Sequence, residues 1–559
     1  MNLKLSAVAL VGLAFLGACS PAQKLKKENA KIQSGLEAHV RYLADDKLEG
    51  RRTGTKGEKL AFDYIAKQFS AIGLDPKGAN SADQAQGYGL PFEINEGKNI
   101  DTTTHLILNG NKLELGTDYF PFAFSANGAG QSSLSVAVKE IGSPWFIDLK
   151  DALEENKTNP HFDLQDHIYT VSNKLSQRGR ATALVFYLSD ADAAGLKFNP
   201  KDKSEKTKLP VIYITQSAAK KYLSDPLATM QVDFSVSLSE KIRTGINAVG
   251  YINNGAATTV VIGAHFDHLG YGEDGNSRYE KKEPAIHNGA DDNASGTSTL
   301  IELARQLKKS KDKANNYLFI SFSGEELGLY GSKYFTEHPS IDLSTVSYMI
   351  NLDMVGRMSD SARSVTIGGF GTSPEWANVF SASNSKNVYF NTKIDSSGSG
   401  PSDHTSFYKK DIPVLFYFTG LHTDYHKPSD DADKINYKGM VDITRDVLRV
   451  IDAMNGKGKL PFLKTRETQT TSAARFSVSL GVMPDYTYSG NGLRVDGVID
   501  GRAAQKAGLK TGDIVLQLGD HKITSMEAYM QALSKFKKGD KTTVTFTRGA
   551  ETLSADVQF

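Results

Sequence analysis

Val260-Val261-Ile262-Gly263-Ala264-His265-Phe266-Asp267-His268 sets the fold class of this chain. The run from Val260 to Ala264 is apolar without alternation, which is how a strand covered on both faces reads. It then breaks into a loop of histidine and aspartate. Outward from this stretch the same rhythm repeats. Ala294 to Leu307 has apolar residues at helical spacing, Leu318 to Phe322 is again a continuous strand, and Gly328 to Phe335 suits a helix. Val346 to Leu352 and Val414 to Phe418 are further strands. Alternation of this kind predicts an α/β fold of three layers around a mostly parallel central sheet.

At 559 residues the chain is too long for one core. Before the α/β region, Leu36 to Leu74 shows helical spacing split by the turn Leu48-Glu49-Gly50-Arg51-Arg52-Thr53-Gly54-Thr55. Short apolar runs broken by Gly, Asn and Asp then continue to Leu238 and predict a β-rich insert. Lys457 to Ala474 is polar and Thr-rich, as linkers are. The residues after it return to short strands, with one helix near Met526 to Phe536. The expected organisation is residues 1–18 leader, 19–35 tether, 36–98 first part of the α/β domain, 99–238 insert, 239–456 the rest of that domain, 457–475 linker and 476–559 a small C-terminal domain.

A formal charge of +1 argues against nucleic acid or a polybasic membrane patch as the main partner. Lys4 and the apolar run Leu5 to Leu16 are too short for a membrane span and read as an export signal. Leu16-Gly17-Ala18-Cys19 resembles the bacterial lipoprotein signal, which implies a lipidated Cys19 and an exported protein anchored in the outer membrane, facing the periplasm or the cell surface. The alternative is a plain signal peptide with an incidental cysteine. Cys19 is the single cysteine, which excludes an internal disulfide and argues against a thiol catalyst.

Five segments carry chemistry. His265 and Asp267 end the opening strand, and Asp291-Asp292 precedes the helix after it. Glu325-Glu326 follows the strand at Leu318, Asp353 follows the one at Val346, and Tyr425-His426 lies in the loop after Val414. Open parallel sheets place ligand sites at the carboxyl ends of their strands, where four of the five fall. Two divalent ions close together repel, so a site for two needs a bridging carboxylate and further acids to offset charge. An adjacent Glu-Glu pair offers a ligand and a neighbouring proton acceptor, and Asp267 is placed to orient the His265 ring. Singly, each segment reads as solvated surface or loop hydrogen bonding; their joint order is what points to a metal site.

These segments resemble the two-zinc aminopeptidase family that includes bacterial secreted aminopeptidases, glutamate carboxypeptidase and the transferrin receptor. The resemblance covers His39 to Tyr88 and Gly245 to Met454. It implies that Asp292 bridges two zinc ions, with His265 and Asp353 completing one site and Glu326 and His426 the other. Glu325 would carry a proton from water to the leaving amine, and Tyr425 would stabilise the oxyanion. Cobalt or manganese would suit the same donors. His268, His287, His404 and His422 lie in the same loops but match no family ligand, and read as residues that shape the site. Asp430 reads as support for His426 or as a solvated carboxylate. Ser402-Asp403-His404 is no local triad, because neighbouring side chains diverge.

The insert, through Arg178-Gly179-Arg180-Ala181-Thr182-Ala183 and the Leu209 to Ile212 strand, resembles a protease-associated domain. Residues 476–559 resemble a bacterial PDZ domain through Ala503 to Asp513 and Ser479-Leu480-Gly481-Val482. Leu480, Gly481 and Val482 would there form the loop that captures a peptide carboxylate. The resemblance implies peptide substrates and an exopeptidase, with aminopeptidase as the leading reading. A carboxypeptidase or dipeptidase on the same scaffold is the close rival. A glutaminyl cyclase would use one metal and does not need both ligand sets. A non-catalytic peptide-binding lipoprotein is the alternative of another class, and an inactive chain of that kind has no reason to keep every ligand and the base.

Overall fold

A computed structural model describes residues 21–559 apart from 79–85, 158–161, 190–195, 201, 203, 280, 282, 381–388, 466–477, 485–490, 499–500, 525, 534 and 550. The expected leader and Cys19 therefore lie outside the described residues, as does most of the second half of the expected linker. Residues 93–244 form one compact unit, and the chain before and after them forms the other.

The elements that build the α/β domain are α1 (Pro21–Leu43), α2 (Lys56–Ile72), β1 (Leu238–Ile252), β2 (Thr259–His265), α3 (Gly296–Lys309), β3 (Asn316–Phe322) and α4 (Tyr330–Glu337). They continue with β4 (Val346–Leu352), β5 (Ser364–Gly368), β6 (Asn391–Ile394), α5 (His404–Tyr408), β7 (Val414–Phe418) and α6 (Tyr437–Met454). The strands run in the order β1-β3-β2-β4-β7-β5-β6. β3, β2, β4 and β7 run parallel to one another, with Val261 opposite both Leu318 and Met349. β1 is antiparallel to β3 and β5 is antiparallel to β7, so the sheet is parallel at its centre and mixed at its flanks.

All residues of β2, β3 and β4 are buried, as the unalternating apolar runs require. The period of two along β2 divides them between two cores. Val260, Ile262 and Ala264 pack with Leu36 and Val40 of α1, Phe62 and Ile65 of α2, Leu300 of α3 and Val447 of α6. Val261 packs on the other side with Ile320, Met349, Phe335 of α4 and Phe407 of α5. Three layers follow directly. α1 starts at Pro21, well before the predicted Leu36, so the described part of the expected tether is helical. Ile32, fully buried, extends the Leu36-Val40-Leu43 stripe by one helical step, and Arg445 Nε donates to Asn29 Oδ1 at 2.8 Å.

The unit at 93–244 has two sheets of its own. One is antiparallel, ordered 111–112, 105–108, 229–236, 128–135; the other places 145–148, 184–187 and 211–214 in parallel, with 119–121 antiparallel at the edge. Its helices include Leu164–Ser176, which begins where the Asp163 side chain accepts the Asp166 N–H at 3.1 Å. The C-terminal residues form a separate β-rich sheet over a core of Leu480, Val495, Ala504, Val515, Leu518 and Val544.

Candidate metal centre

Since β3, β2, β4 and β7 are parallel neighbours, their carboxyl ends open on one edge of the sheet. His265 is the last residue of β2, Glu325 and Glu326 follow β3, Asp353 follows β4, and His426 lies in the loop after β7. Asp292 enters from the Ala290–Ser295 turn that leads into α3. The sequence-predicted ligands, drawn from segments up to 161 residues apart, thus meet at one place (from His265 to His426).

His265 Nε2 stands 3.4 Å from Asp292 Oδ1 and 3.4 Å from Asp353 Oδ1. His426 Nε2 stands 3.2 Å from Asp292 Oδ2 and 3.2 Å from Glu326 Oε2. The two oxygens of Asp292 therefore face two different donor sets. Donors held at about 2.0–2.1 Å by a tetrahedral cation lie about 3.3 Å from one another, so both sets have the spacing that such an ion needs. Glu325 sits beside the first set: one atom each of His265, Glu325 and Asp353 lie within 4.8 Å of one another.

Neighbouring residues fix these donors. Ser402 Oγ donates to Asp353 Oδ2 at 2.7 Å, leaving Oδ1 toward His265. Asn276 O accepts from His426 Nδ1 at 2.8 Å, which directs Nε2 inward. Asp267 differs in part from expectation. His265 Nδ1 lies 3.2 Å from its backbone carbonyl and 3.7 Å from its carboxylate. The carboxylate instead accepts the backbone N–H groups of Glu325 at 3.2 Å and Glu326 at 3.4 Å, together with the Thr53 hydroxyl at 3.0 Å.

Charges at the site reinforce one another. Burial drives the Glu325 carboxyl well above its ordinary 4.5, with the His265 charge opposing. Burial alone would lower His426, but Glu326 and Asp292 push it up to about 10. Burial would likewise raise Asp353, yet His265 and its hydrogen bonds hold it below the usual carboxylate range. Buried carboxylates at this density need positive charge among them, and a divalent cation supplies it.

Sequence reasoning missed Arg51. Its fully buried guanidinium donates to the carbonyls of Leu43 (2.5 Å), Asn288 (2.6 Å), Phe266 (2.7 Å) and Gly289 (3.0 Å), tying the loop after β2 to the turn that carries Asp292. The signal was the Arg51-Arg52 pair in a turn, where burial of one is not readable. Of the histidines set aside, His287 bonds Ser277 Oγ (2.7 Å) and the Ala285 carbonyl (3.0 Å), and His404 stacks on Phe416. His422 Nε2 meets Asp291 Oδ2 at 3.1 Å, and His268 Nδ1 meets Glu326 Oε1 at 2.8 Å. The Ser402 hydroxyl is spent on Asp353, not on His404. Tyr425 lies with its ring 3.9 Å from that of His426, under the Arg278 guanidinium at 4.6 Å.

Residues 247–451 match peptidase family M28 and residues 476–559 match the PDZ domain. The α/β domain is accordingly an M28 peptidase domain, and the C-terminal domain is a PDZ domain. Among individual proteins, the chain is 25% identical to aminopeptidase YwaD of Bacillus subtilis (strain 168) over 278 residues, 48% of this chain and 56% of that protein. It is 27% identical over 182 residues to the probable lipoprotein aminopeptidase LpqL of Mycobacterium tuberculosis, 32% of each. The chain spans about half the length, or less, of these two relatives. The solved aminopeptidase from Aneurinibacillus sp. strain AM-1 aligns with 77% of this chain and 95% of its own, at 20% identity and a TM-score of 0.41.

Proposed function

We propose that the protein is a two-zinc exopeptidase, an aminopeptidase that removes N-terminal residues from peptides, with Glu325 as general base. The observation that carries this reading is the division of Asp292 between two donor pairs, His265 with Asp353 and His426 with Glu326. The peptidase family match and the names of the aminopeptidase relatives support it. When bound, zinc lowers the pKa of water and polarises the scissile carbonyl.

The chain's own groups do the rest. His265, Asp292 and Asp353 would hold one ion, and Asp292, Glu326 and His426 would hold the other. Glu325 accepts the proton of the attacking water and delivers it to the leaving amine, a task suited to a carboxyl whose proton affinity burial has raised well above the ordinary carboxylate value. Asp267 anchors the backbone of Glu325, which keeps that carboxyl beside the first ion site. Tyr425, next to His426, offers a phenol to the oxyanion. Export and a lipid anchor at Cys19 are part of the same reading, supported by the leader sequence and by the name of the lipoprotein relative. The PDZ domain would take a peptide C-terminus at Leu480-Gly481-Val482, and the 93–244 unit would be the protease-associated module of the same reading.

Glu325→Gln tests the chemistry: hydrolysis is lost while two metal ions per chain remain, and unchanged turnover would remove Glu325 as the base. A panel of aminoacyl and C-terminally free reporter peptides tests direction. Cleavage of the carboxyl-end reporters alone would replace aminopeptidase with carboxypeptidase.

A further inference from the structure

Glu326 has two oxygens and two histidines beside it. Oε2 stands 3.2 Å from His426 Nε2, while Oε1 stands 2.8 Å from His268 Nδ1. The His268 side chain is fully buried, and its Nδ1 is 3.8 Å from Asp292 Oδ2. Were His268 a third protein donor to the same cation, both of its separations would fall near the tetrahedral value of about 3.3 Å. One is too short and the other too long. A separation of 2.8 Å is instead that of a charge-assisted N–H···O⁻ bond. An ionised carboxylate only accepts, so Nδ1 carries the proton. Nε2, buried and without a hydrogen-bond partner, is then left as the unprotonated nitrogen.

We propose that His268 is a positioning residue of the metal centre: its Nδ1–H holds Glu326 Oε1 and so presents Oε2 alone to the cation shared with His426. The main chain is built for this. His268 N donates to the Arg51 carbonyl at 3.3 Å, fixing the residue at the start of the loop. Gly289 has a φ of +53°, and a Cβ there would meet the Asp292 carbonyl oxygen at 2.1 Å as well as His268 Cδ2 at 2.5 Å and Cγ at 2.6 Å. Only glycine leaves room for both the ring and the turn at Asp292. A one-oxygen presentation matters because a carboxylate free to bind through both oxygens would crowd the position that water and substrate need.

The proposal rests on the two-cation reading, and metal titration separates the two. The metal-stripped full chain is titrated with Zn²⁺ by calorimetry, and with Co²⁺ by visible absorption. The wild type takes up two ions; fewer than two overturns both readings before any variant is made. His268→Ala weakens one binding step by about 10- to 100-fold and leaves the other at its wild-type value. His268→Asn, whose amide N–H falls near Nδ1 but which is a poor metal ligand, restores most of the loss. His426→Ala removes that step altogether. Two wild-type steps in His268→Ala would overturn the proposal. A His268→Asn variant as impaired as His426→Ala would overturn it in favour of direct ligation. Thermal unfolding of the stripped variants identifies any that fail to fold, and His268→Asn preserves the test if His268→Ala is one of them.

Discussion

Asp430 accepts the backbone N–H of Asp292 at 3.1 Å through Oδ2, an atom that also takes the Asp291 N–H at 2.9 Å. Asp430 is fully buried, and burial pushes its carboxyl up to about 7. Its role is thus to hold the turn that presents Asp292 to both donor sets, not to serve His426. Asp430→Ala leaves two buried N–H groups without a partner, at about 1–3 kcal/mol each. Asp430→Asn keeps an oxygen for them. The alanine variant is expected to lose thermal stability and to weaken both zinc-binding steps, with the asparagine variant between it and wild type. An alanine variant that binds both ions normally would show that the turn holds itself.

Arg51 makes a larger contribution of the same kind. Four main-chain carbonyls share its guanidinium, and none of them belongs to the turn in which Arg51 sits. Arg51→Met removes all four bonds at once and takes a cation from an acidic region, which should cost about 3–5 kcal/mol. Urea unfolding of the metal-free chain measures this. Arg51→Lys should recover little, because an ammonium with three donors lacks the planar fork. Lysine equal to arginine would mean that charge alone matters.

Glu58 gives a pH dependence. Burial pushes its carboxyl up to about 7, against donations from Ser323 Oγ, Gly54 N and Ile246 N. Between about 4.5 and 7 the folded state therefore binds the proton more tightly than the unfolded state does. Stability contributed by this group is present below the unfolded value and is lost as pH rises through the folded one, by about 3 kcal/mol at most. Glu58→Gln should flatten that part of the stability–pH curve in the metal-free protein. An unchanged slope would place the titration elsewhere.

What could be read in advance was what is local. β2 and β4 emerge from runs of adjacent apolar residues within a residue of the predicted bounds, and His265, Glu325, Glu326 and Asp353 follow because each sits at or just past the end of such a run. The supporting residues escaped because their partners are remote. Arg51 meets carbonyls up to 238 residues away, and Thr53 meets Asp267 across 214. Nothing in the turn Leu48 to Thr55 distinguishes a buried arginine from an exposed one. The spacing of two points Asp267 at the His265 ring, and its carboxylate lies 3.7 Å from Nδ1, but it also accepts from backbone that only the parallel pairing of β2 with β3 brings near. The helix Leu164–Ser176 was missed inside a β-rich insert because its start depends on a cap at Asp163 and its apolar face is short.

Gly481 lies at a φ of +81°, and a Cβ there would come within 2.2 Å of Arg502 Cβ. Its N–H is held by Ser479 Oγ at 3.1 Å, so a peptide carboxylate seeking that amide must displace the hydroxyl. Gly481→Ala should destabilise the PDZ domain by about 1–3 kcal/mol through backbone strain. The separate sheet and core of that domain predict that reporter-peptide hydrolysis is retained. Two-step thermal unfolding with only one step shifted is the expected trace; a shift in both would tie the domains into one folding unit.

The Asp267 carboxylate spans Glu325 N, Glu326 N and Thr53 Oγ1. The first two bonds fix the backbone of the adjacent glutamates, Glu325 beside His265 and Asp353 and Glu326 beside His426. Asp267→Ala should therefore lower kcat by about 10- to 100-fold, as loss of an orienting group does. KM should stay near wild type, because Asp267 is buried behind the glutamates and its carboxylate is committed to them. Thr53→Val removes a single donor to that carboxylate and should act in the same direction with a smaller effect. Glu325→Gln must exceed both. If Asp267→Ala instead raised KM at constant kcat, its carboxylate would be acting on substrate binding, and the bonds to the glutamate backbone would be incidental to turnover.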